Sequence, residues 1–469
     1  MPAAQAPSSP PAAFRPGLNL NLKHLGRMLR GRSPGQLIIQ YTDRCNARCP
    51  QCEMRVQNDF DRTALDLDRG KKLIDAAVKN GVAALSFTGG EPFLKKDEVL
   101  ELIGYAGTAG IKYIRTGTNG FMFLGSDKPS FEGKVRKFAE QLAATKLYTF
   151  WISIDSVVPE VHEEMRGLPG VLKGVEKALP IFEEYGIYPS ANLGINRNAG
   201  GDYRKVFPVQ DGPADYQRTY DYFRTAFARF YTRAADMGFT IINMCYPMSV
   251  DPEEAADPLQ AVYTATSTDR IVRFTPDEKV PLFQALYDTV PEHRSKIRIF
   301  TPRTSVKTII EQYSGRGEPK YGCRGGIDYF FVSSVDGNAY PCGYRGDENM
   351  GPYWDLDLNS VDQERNCTDC DWECFRDPSE LSGPVLDAVK SPFQVAGRLI
   401  RDREFTRLWW EDLSYYRACN YFCGRMPPNR KKLERFAFDG TPFVPPPMQQ
   451  PEPEAAVTPH SREALETVC

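Results

Sequence analysis

Histidine is nearly absent: the 469 residues contain four, at His24, His162, His293 and His460. They are scattered, and no two are spaced as a metal-binding pair, so a histidine-built metal centre is not expected. No run of about 18 apolar residues occurs, which excludes a membrane-spanning helix of ordinary length. Neither sign of charge dominates, since 58 basic and 61 acidic side chains leave a formal net charge of −3. That balance creates no overall basic field, and no nucleic-acid partner is expected. The first sixteen residues are rich in Ala, Pro and Ser and lack the apolar stretch of a secretory signal. A cytoplasmic location is therefore expected, and there twelve cysteines imply metal binding more readily than disulfides.

Hydrophobic residues make up 41% and charged residues 25%, a normal balance for a chain with a substantial core. The length suggests two domains with appendages. Residues 1–16 and 440–469 are poor in large apolar side chains and read as disordered tails. Cys469 ends one of them and is not fourth from the end, as prenylation requires.

Strand-like runs at 37–42, 84–88, 112–117, 148–154, 188–194 and 239–244 alternate with helical stretches at 65–80, 96–109, 134–145, 170–185 and 215–237. Gly81 and Gly110 stand where helix C-termini are expected. This alternation argues for parallel βαβ units, and six of them fit an open (β/α)6 barrel as well as a doubly wound sheet. Gly104, Gly107 and Gly110 lie on a helix, without the strand–turn context of a dinucleotide loop.

The chemistry-bearing residues sit at strand ends, where barrels place their active sites. After the first strand comes Cys45-Asn-Ala-Arg-Cys49-Pro-Gln-Cys52. An iron–sulfur cubane normally takes four thiolates, so three from one loop leave one iron open, as catalytic metal sites require. Zinc sites usually pair two CxxC units, and no partner for Cys49–Cys52 follows within reach of a compact ribbon or finger. The second strand runs into Gly89-Gly90-Glu91-Pro92, where glycines allow backbone to approach a ligand. The third ends in Thr118-Asn119-Gly120. On the fourth, Trp151, Ser153 and Asp155 share one face; Ser153 and Asp155 suit ribose hydroxyls or a carboxylate. Arg166, just beyond, suits a carboxylate in bidentate fashion.

The Cx3Cx2C spacing followed by GGEP resembles the radical S-adenosylmethionine (SAM) superfamily. The resemblance implies a partial (β/α)6 TIM-like barrel over 36–248. It implies a [4Fe-4S] cluster on Cys45, Cys49 and Cys52, with SAM on its open iron. SAM contacts would come from Gly89, Gly90, Glu91, Asn119, Ser153, Asp155 and Arg166, with adenine contacts at the strand ends 194–196 and 243–246. Gln51 stands where the family usually has an aromatic residue. In such enzymes the reduced cluster cleaves SAM to methionine and a 5′-deoxyadenosyl radical, which removes hydrogen from a substrate. A reducing partner such as flavodoxin or ferredoxin is implied. Cys245 reads as a small core residue.

A helical linker, 249–319, leads to a second cysteine group. Cys323 and Cys342 flank a β-hairpin signal at Val335-Asp336-Gly337, and Cys367, Cys370, Cys374, Cys419 and Cys423 follow. This Cx13Gx4C opening resembles SPASM domains, which implies that 320–425 is a C-terminal SPASM-like domain with one or two auxiliary [4Fe-4S] clusters. The later spacing, Cx2Cx3C and then Cx3C, departs from that pattern. A zinc ribbon is the alternative for this group. A non-catalytic iron–sulfur carrier or a zinc-stabilised binding protein is the alternative for the whole chain, but neither needs GGEP or the S-x-D strand.

The substrate is not written in these motifs. SPASM-type enzymes often act on peptides, so a peptide or protein is one candidate. Within 17–35, Leu18, Leu22, Leu25 and Leu29 form one stripe of an amphipathic helix, with Lys23, Arg27 and Arg30 opposite. Such a helix either caps the open bottom of the barrel or rests on an anionic membrane surface. The second case would place the protein peripherally at the inner membrane face and favour a lipid or isoprenoid. The aromatic-rich stretch 197–235 either shapes the pocket or belongs to the core.

Overall fold

A computed structural model describes residues 22–52, 62–209, 212–247, 262, 269–358, 360–361 and 367–447. Leu18, Cys469, the tail 1–16 and most of the tail 440–469 lie outside the described residues.

Six strands form where the sequence pattern places them: β1 (Gly35–Thr42), β2 (Val82–Gly89), β3 (Tyr113–Thr118), β4 (Thr149–Ser153), β5 (Ser190–Gly194) and β6 (Ile241–Cys245). Each pairs in parallel with the next, and helices Leu67–Lys79, Lys96–Ala109, Phe131–Ala143, Val171–Glu184 and Tyr216–Met237 connect them. The pleat sorts the side chains. Leu37, Ile39, Leu85, Phe87, Phe150, Ile152, Ala191 and Leu193 are buried in the main core. Their alternates, among them Gln36, Ser86, Arg115, Ser153, Asn192 and Asn243, line the barrel lumen. On the outer layer Phe93, Phe138, Phe150 and Phe182 meet mostly edge to face, with centroids 5.3–6.0 Å apart. Truncating one of these rings to alanine should cost about 3–5 kcal/mol.

The helix starts are locally encoded. Asp66 and Asp215 accept from the backbone N–H groups of Arg69 and Arg218, and Thr275 with Glu278 forms a capping box before helix Pro276–His293.

Two features extend the sheet beyond the six expected strands. A two-residue strand, β7 (Arg298–Ile299), adds to β6 in parallel within the stretch expected to be a helical linker. That stretch does carry two helices, Pro276–His293 and Arg303–Tyr313. The hairpin β8 (Tyr329–Val332) and β9 (Ala339–Tyr340) forms around Asp336-Gly337 as read. Its first strand, however, pairs in parallel with β1. The cysteine-rich region thus shares one nine-stranded sheet with the barrel, in the order β7-β6-β5-β4-β3-β2-β1-β8-β9. The outermost strands, β7 and β9, do not pair with each other, so the barrel stays open. Glu373 and Cys374, at the start of helix Glu373–Lys390, and Phe422 line the lumen as well.

The N-terminal helix Leu22–Met28 docks in a manner the leucine stripe does not suggest. Of its basic residues, Arg27 is buried against the protein, while Lys23 and Arg30 are exposed. Lys23 Nζ donates to Val78 O (2.8 Å), Arg27 Nη1 to Asn80 O (2.7 Å) and Arg27 Nη2 to buried Asp328 (3.0 Å). Leu22, Leu25 and Leu29 point outward, 87%, 50% and 65% exposed. The helix is tied to the loop before β2 and to the turn before β8, held by charge and hydrogen bonds rather than by its apolar face. In the aromatic stretch after β5, Phe207 stacks on Tyr222 (4.3 Å) and packs on Phe223. These rings belong to the core rather than the lumen.

Candidate active site

One large cavity fills the barrel lumen, about 2070 Å³ with its open mouth included. Every residue expected to bind the first cluster or SAM lines this cavity: Cys45, Cys49, Cys52, Gly89, Gly90, Glu91, Asn119, Ser153, Asp155 and Arg166. They come from five separate chain segments at the C-terminal ends of β1 to β4.

The side chains do different work from what their order suggests. Gly89 and Gly90 make room for protein backbone rather than for a ligand: a Cβ at either would lie 2.0 Å from Thr42 O or 2.2 Å from Arg44 O. Gly90 N donates to Thr42 O (2.7 Å) and Glu91 N to Arg44 O (2.8 Å). The two glycines therefore clamp the end of β2 onto the root of the cysteine loop. Glu91 is fully buried, and its carboxyl accepts from Phe93 N (3.1 Å) and Asn119 N (2.7 Å). Burial pushes its pKa up to about 7. With both oxygens engaged it is a latch between β2 and β3. Asn119 Nδ2 in turn donates to Asn46 Oδ1 (2.9 Å) and lies 3.8 Å from Cys45 Sγ, so it positions the cysteine loop.

Asp155 and Arg166 meet each other. Arg166 Nη2 donates to Oδ1 (2.9 Å), and Nε lies 2.8 Å from Oδ2. Asp155 and Arg166 are both buried. Arg166, expected to face a free carboxylate, already holds one, and its O accepts from Arg48 N (2.8 Å) on the cysteine loop. His162 Nδ1 accepts from Asp155 N (3.0 Å), and burial lowers its pKa to about 4, so it is neutral. Asn196, in the segment expected to contact adenine, is spent on Asp155 O and Gly194 O; Gly194 itself reaches the cavity.

The donor set fits a cluster and SAM. Burial pushes the Cys49 thiol up to about 12 and raises Cys45, so thiolates here need a cationic partner such as iron. The positive charge of Arg166 acts on both in that direction. Gln51 lines the cavity with its buried Oε1 lacking any hydrogen-bond partner, an acceptor awaiting a donor from a bound molecule.

The second cysteine group divides. Cys323, Cys342, Cys367 and Cys370 line one separate pocket with Arg345 and Arg376. Cys323 pairs across a β-bridge with Cys367. Burial raises all four, Cys323 and Cys342 to about 12; neighbouring thiols add to it at Cys323, Cys342 and Cys370, and Asp369 does so at Cys367. Four thiols sharing one enclosed space match a cubane's ligand count. The other three lie elsewhere. Cys374 turns into the barrel lumen. Cys419 packs with Tyr415 and Phe422, Cys423 meets Tyr148, and the Arg298 guanidinium acts on both. The Cx13Gx4C and Cx2C spacings mark the convergent four. Nothing in the spacing shows that Cys374 leaves them.

Two lumen residues escaped sequence reading. Cys245 is not a core filler. It faces the lumen, with Asn192 Nδ2 at 3.1 Å and Asn243 Nδ2 at 3.5 Å from its sulfur. Arg115 stands inward on β3 beside Ser86; a charged residue at an inward strand position was the available signal.

Comparison with known proteins follows the same lines. Residues 39–195 match the Radical SAM superfamily. The chain is 23% identical over 333 residues to an AdoMet-dependent heme synthase of Oleidesulfovibrio alaskensis, covering 70% of this chain and 75% of that one. A protein of the same name from Methanosarcina barkeri is 23% identical over 356 residues, 75% and 87% of the two chains. Among solved structures, Streptococcus suis SuiB bound to S-adenosylmethionine overlaps with a TM-score of 0.45 at 16% identity, covering 73% of this chain and 69% of that chain.

Proposed function

We propose, from the premise that this chain carries a radical SAM domain and is an enzyme, that it abstracts hydrogen from a tetrapyrrole carboxylic acid bound in the barrel lumen. The observation that carries the reading is the single cavity onto which the three-cysteine loop, the GGEP turn and the S-x-D strand converge. Bound there, a [4Fe-4S] cluster with SAM supplies a 5′-deoxyadenosyl radical when it receives an electron.

The protein's own part is binding, orientation and exclusion of water. Cys45, Cys49 and Cys52 would hold the cluster. The Gly89–Glu91 clamp and Asn119 fix the cysteine loop, and the Asp155–Arg166 pair sets its charge. Ser153 and Gln51 offer polar atoms to SAM. Cys323, Cys342, Cys367 and Cys370 would hold one auxiliary [4Fe-4S] cluster, and Cys374, Cys419 and Cys423 would hold none. A flavodoxin or ferredoxin would serve as electron donor.

The substrate class rests on relatives matched over three quarters or more of their length and named heme synthases. We favour it over the peptide and lipid classes. The exposed Leu22, Leu25 and Leu29 support a second reading, peripheral membrane contact. With Arg27 engaged inside the protein, it would rest on those leucines and on exposed Lys23 and Arg30.

The test is anaerobic reconstitution with iron and sulfide, then incubation with SAM, dithionite and Fe-coproporphyrin III. Formation of 5′-deoxyadenosine supports the enzyme class, and deuterium transfer into it from a side-chain-labelled porphyrin supports the substrate. Absence of 5′-deoxyadenosine would sink both.

A further inference from the structure

The lumen holds a cation that cluster and SAM binding do not use. Arg115 lies on the inward face of β3, in register with Ser86 on β2 and Thr149 on β4. It precedes Asn119 by four positions, about 13 Å along the chain at about 3.3 Å per residue, and so lies deeper in the lumen than the SAM-side loop. Its Nε donates to Ser86 Oγ (3.2 Å). Across the lumen it faces Glu373 and Cys374.

No ion pair ties Arg115 down among the described residues. Four buried arginines are matched by carboxylates, Arg27 by Asp328, Arg166 by Asp155, Arg224 by Glu292 and Arg294 by Asp412. Arg298, which has none, spends its guanidinium on Thr240 and the Cys423 carbonyl; Arg115 has one side-chain bond, to Ser86. Glu373 and Cys374 act on Arg115 through space without forming an ion pair with it. A part-exposed guanidinium in the lumen that has no ion pair can take an incoming carboxylate through two parallel hydrogen bonds. The surrounding wall suits a flat apolar body. Trp151, Tyr344, Trp372 and Phe422 line the same cavity. Gly117 lies directly beneath Trp151: a Cβ there would be 2.2 Å from the indole, so the glycine lets that ring lie across the lumen.

The geometry points to Arg115 as the specificity residue that grips a carboxylate of the substrate and so sets which part of it faces the SAM end of the barrel. This rests on the tetrapyrrole-acid reading above. Arg115 is a positioning residue and touches no group in the radical step.

The test uses reconstituted holoenzyme and fluorescence titration with free-base coproporphyrin III and with its tetramethyl ester, in one detergent-containing buffer. Wild-type protein should bind the acid at least about 10-fold more tightly than the ester, as a charged hydrogen-bonded pair predicts. Arg115→Gln should bring acid binding down to the ester's level and leave ester binding unchanged. Arg115→Lys should restore part of the difference. Unchanged acid binding in Arg115→Gln overturns the assignment. Parallel loss of acid and ester shows a structural role and overturns it too. A wild type that binds both forms equally removes the carboxylate grip but leaves the tetrapyrrole reading standing. A wild type that binds neither removes that reading and Arg115's role with it.

Discussion

The two cysteine pockets of this protein are built on opposite plans. The first takes three thiols from one eight-residue loop and turns them toward a cavity of about 2070 Å³. The second gathers four from a hairpin and a following loop into a pocket closed by Arg345, Trp372, Phe375 and Arg376. Three ligands facing open space leave a coordination position for a reactant, while four in an enclosed pocket leave none. The supports differ as well. The first loop is braced from outside by Gly90, Asn119 and Arg166, so that it can hold its shape with one side empty. The second is braced by its own pairing, Cys323 against Cys367. The contrast is the one the proposed function calls for, with chemistry at the first pocket and electron transfer or structural support at the second.

The sharpest break of this contrast is the triple variant Cys45→Ala/Cys49→Ala/Cys52→Ala. SAM cleavage should vanish, measured as 5′-deoxyadenosine by chromatography, while about four irons per chain remain. Retained cleavage would place the catalytic cluster elsewhere. Next in size, Cys370→Ala should lower reconstituted iron from about eight to about four per chain and spare the first cluster's absorbance. Zinc in place of iron there, in anaerobically purified protein, would refute the second assignment.

Smaller effects separate the braces. Asp155→Asn leaves the buried Arg166 guanidinium without its anion, and should cost about 3–5 kcal/mol in denaturant unfolding of the apoprotein. A loss below about 1 kcal/mol would mean Arg166 is solvated. Behind the second pocket, burial raises the pKa of Glu380 from 4.5 to about 7. The folded state then binds the proton more tightly than the unfolded one. The resulting stabilisation is complete below pH 4.5 and lost as pH rises through 7, by at most about 3 kcal/mol. Glu380→Gln should flatten the unfolding midpoint across that window, and an unchanged slope would exclude this carboxyl as its source. Least of all, Cys423→Ser should leave iron content unchanged, since Cys423 packs against Tyr148 and Arg298 outside both pockets. Loss of iron in that variant would erase the four-and-three partition.

Much of the catalytic end was legible because its signals are local. Strand alternation, the cysteine loop and GGEP each lie within one short segment, and barrel topology forces strand ends together. Sequence misjudged the partners within that end. Ser153 faces the cavity as read, but Asp155 and Arg166 satisfy each other, and Glu91 serves backbone donors 28 residues on. The N-terminal helix shows the same failure. Its leucine stripe was plain, yet Asp328, three hundred residues away, attracts Arg27 and turns the helix over.

By itself the sequence determined the alternation of strands and helices, the three-thiol loop and the hairpin, because these depend on side-chain period and on turns between near neighbours. Only the tertiary structure decided which four of seven cysteines share a pocket, that β8 joins β1, and that Arg115 stands unpaired in the lumen. Those outcomes depend on which groups meet across long stretches of chain. There, burial makes an unmatched charge or thiolate costly, and spacing along the chain carries no information about it.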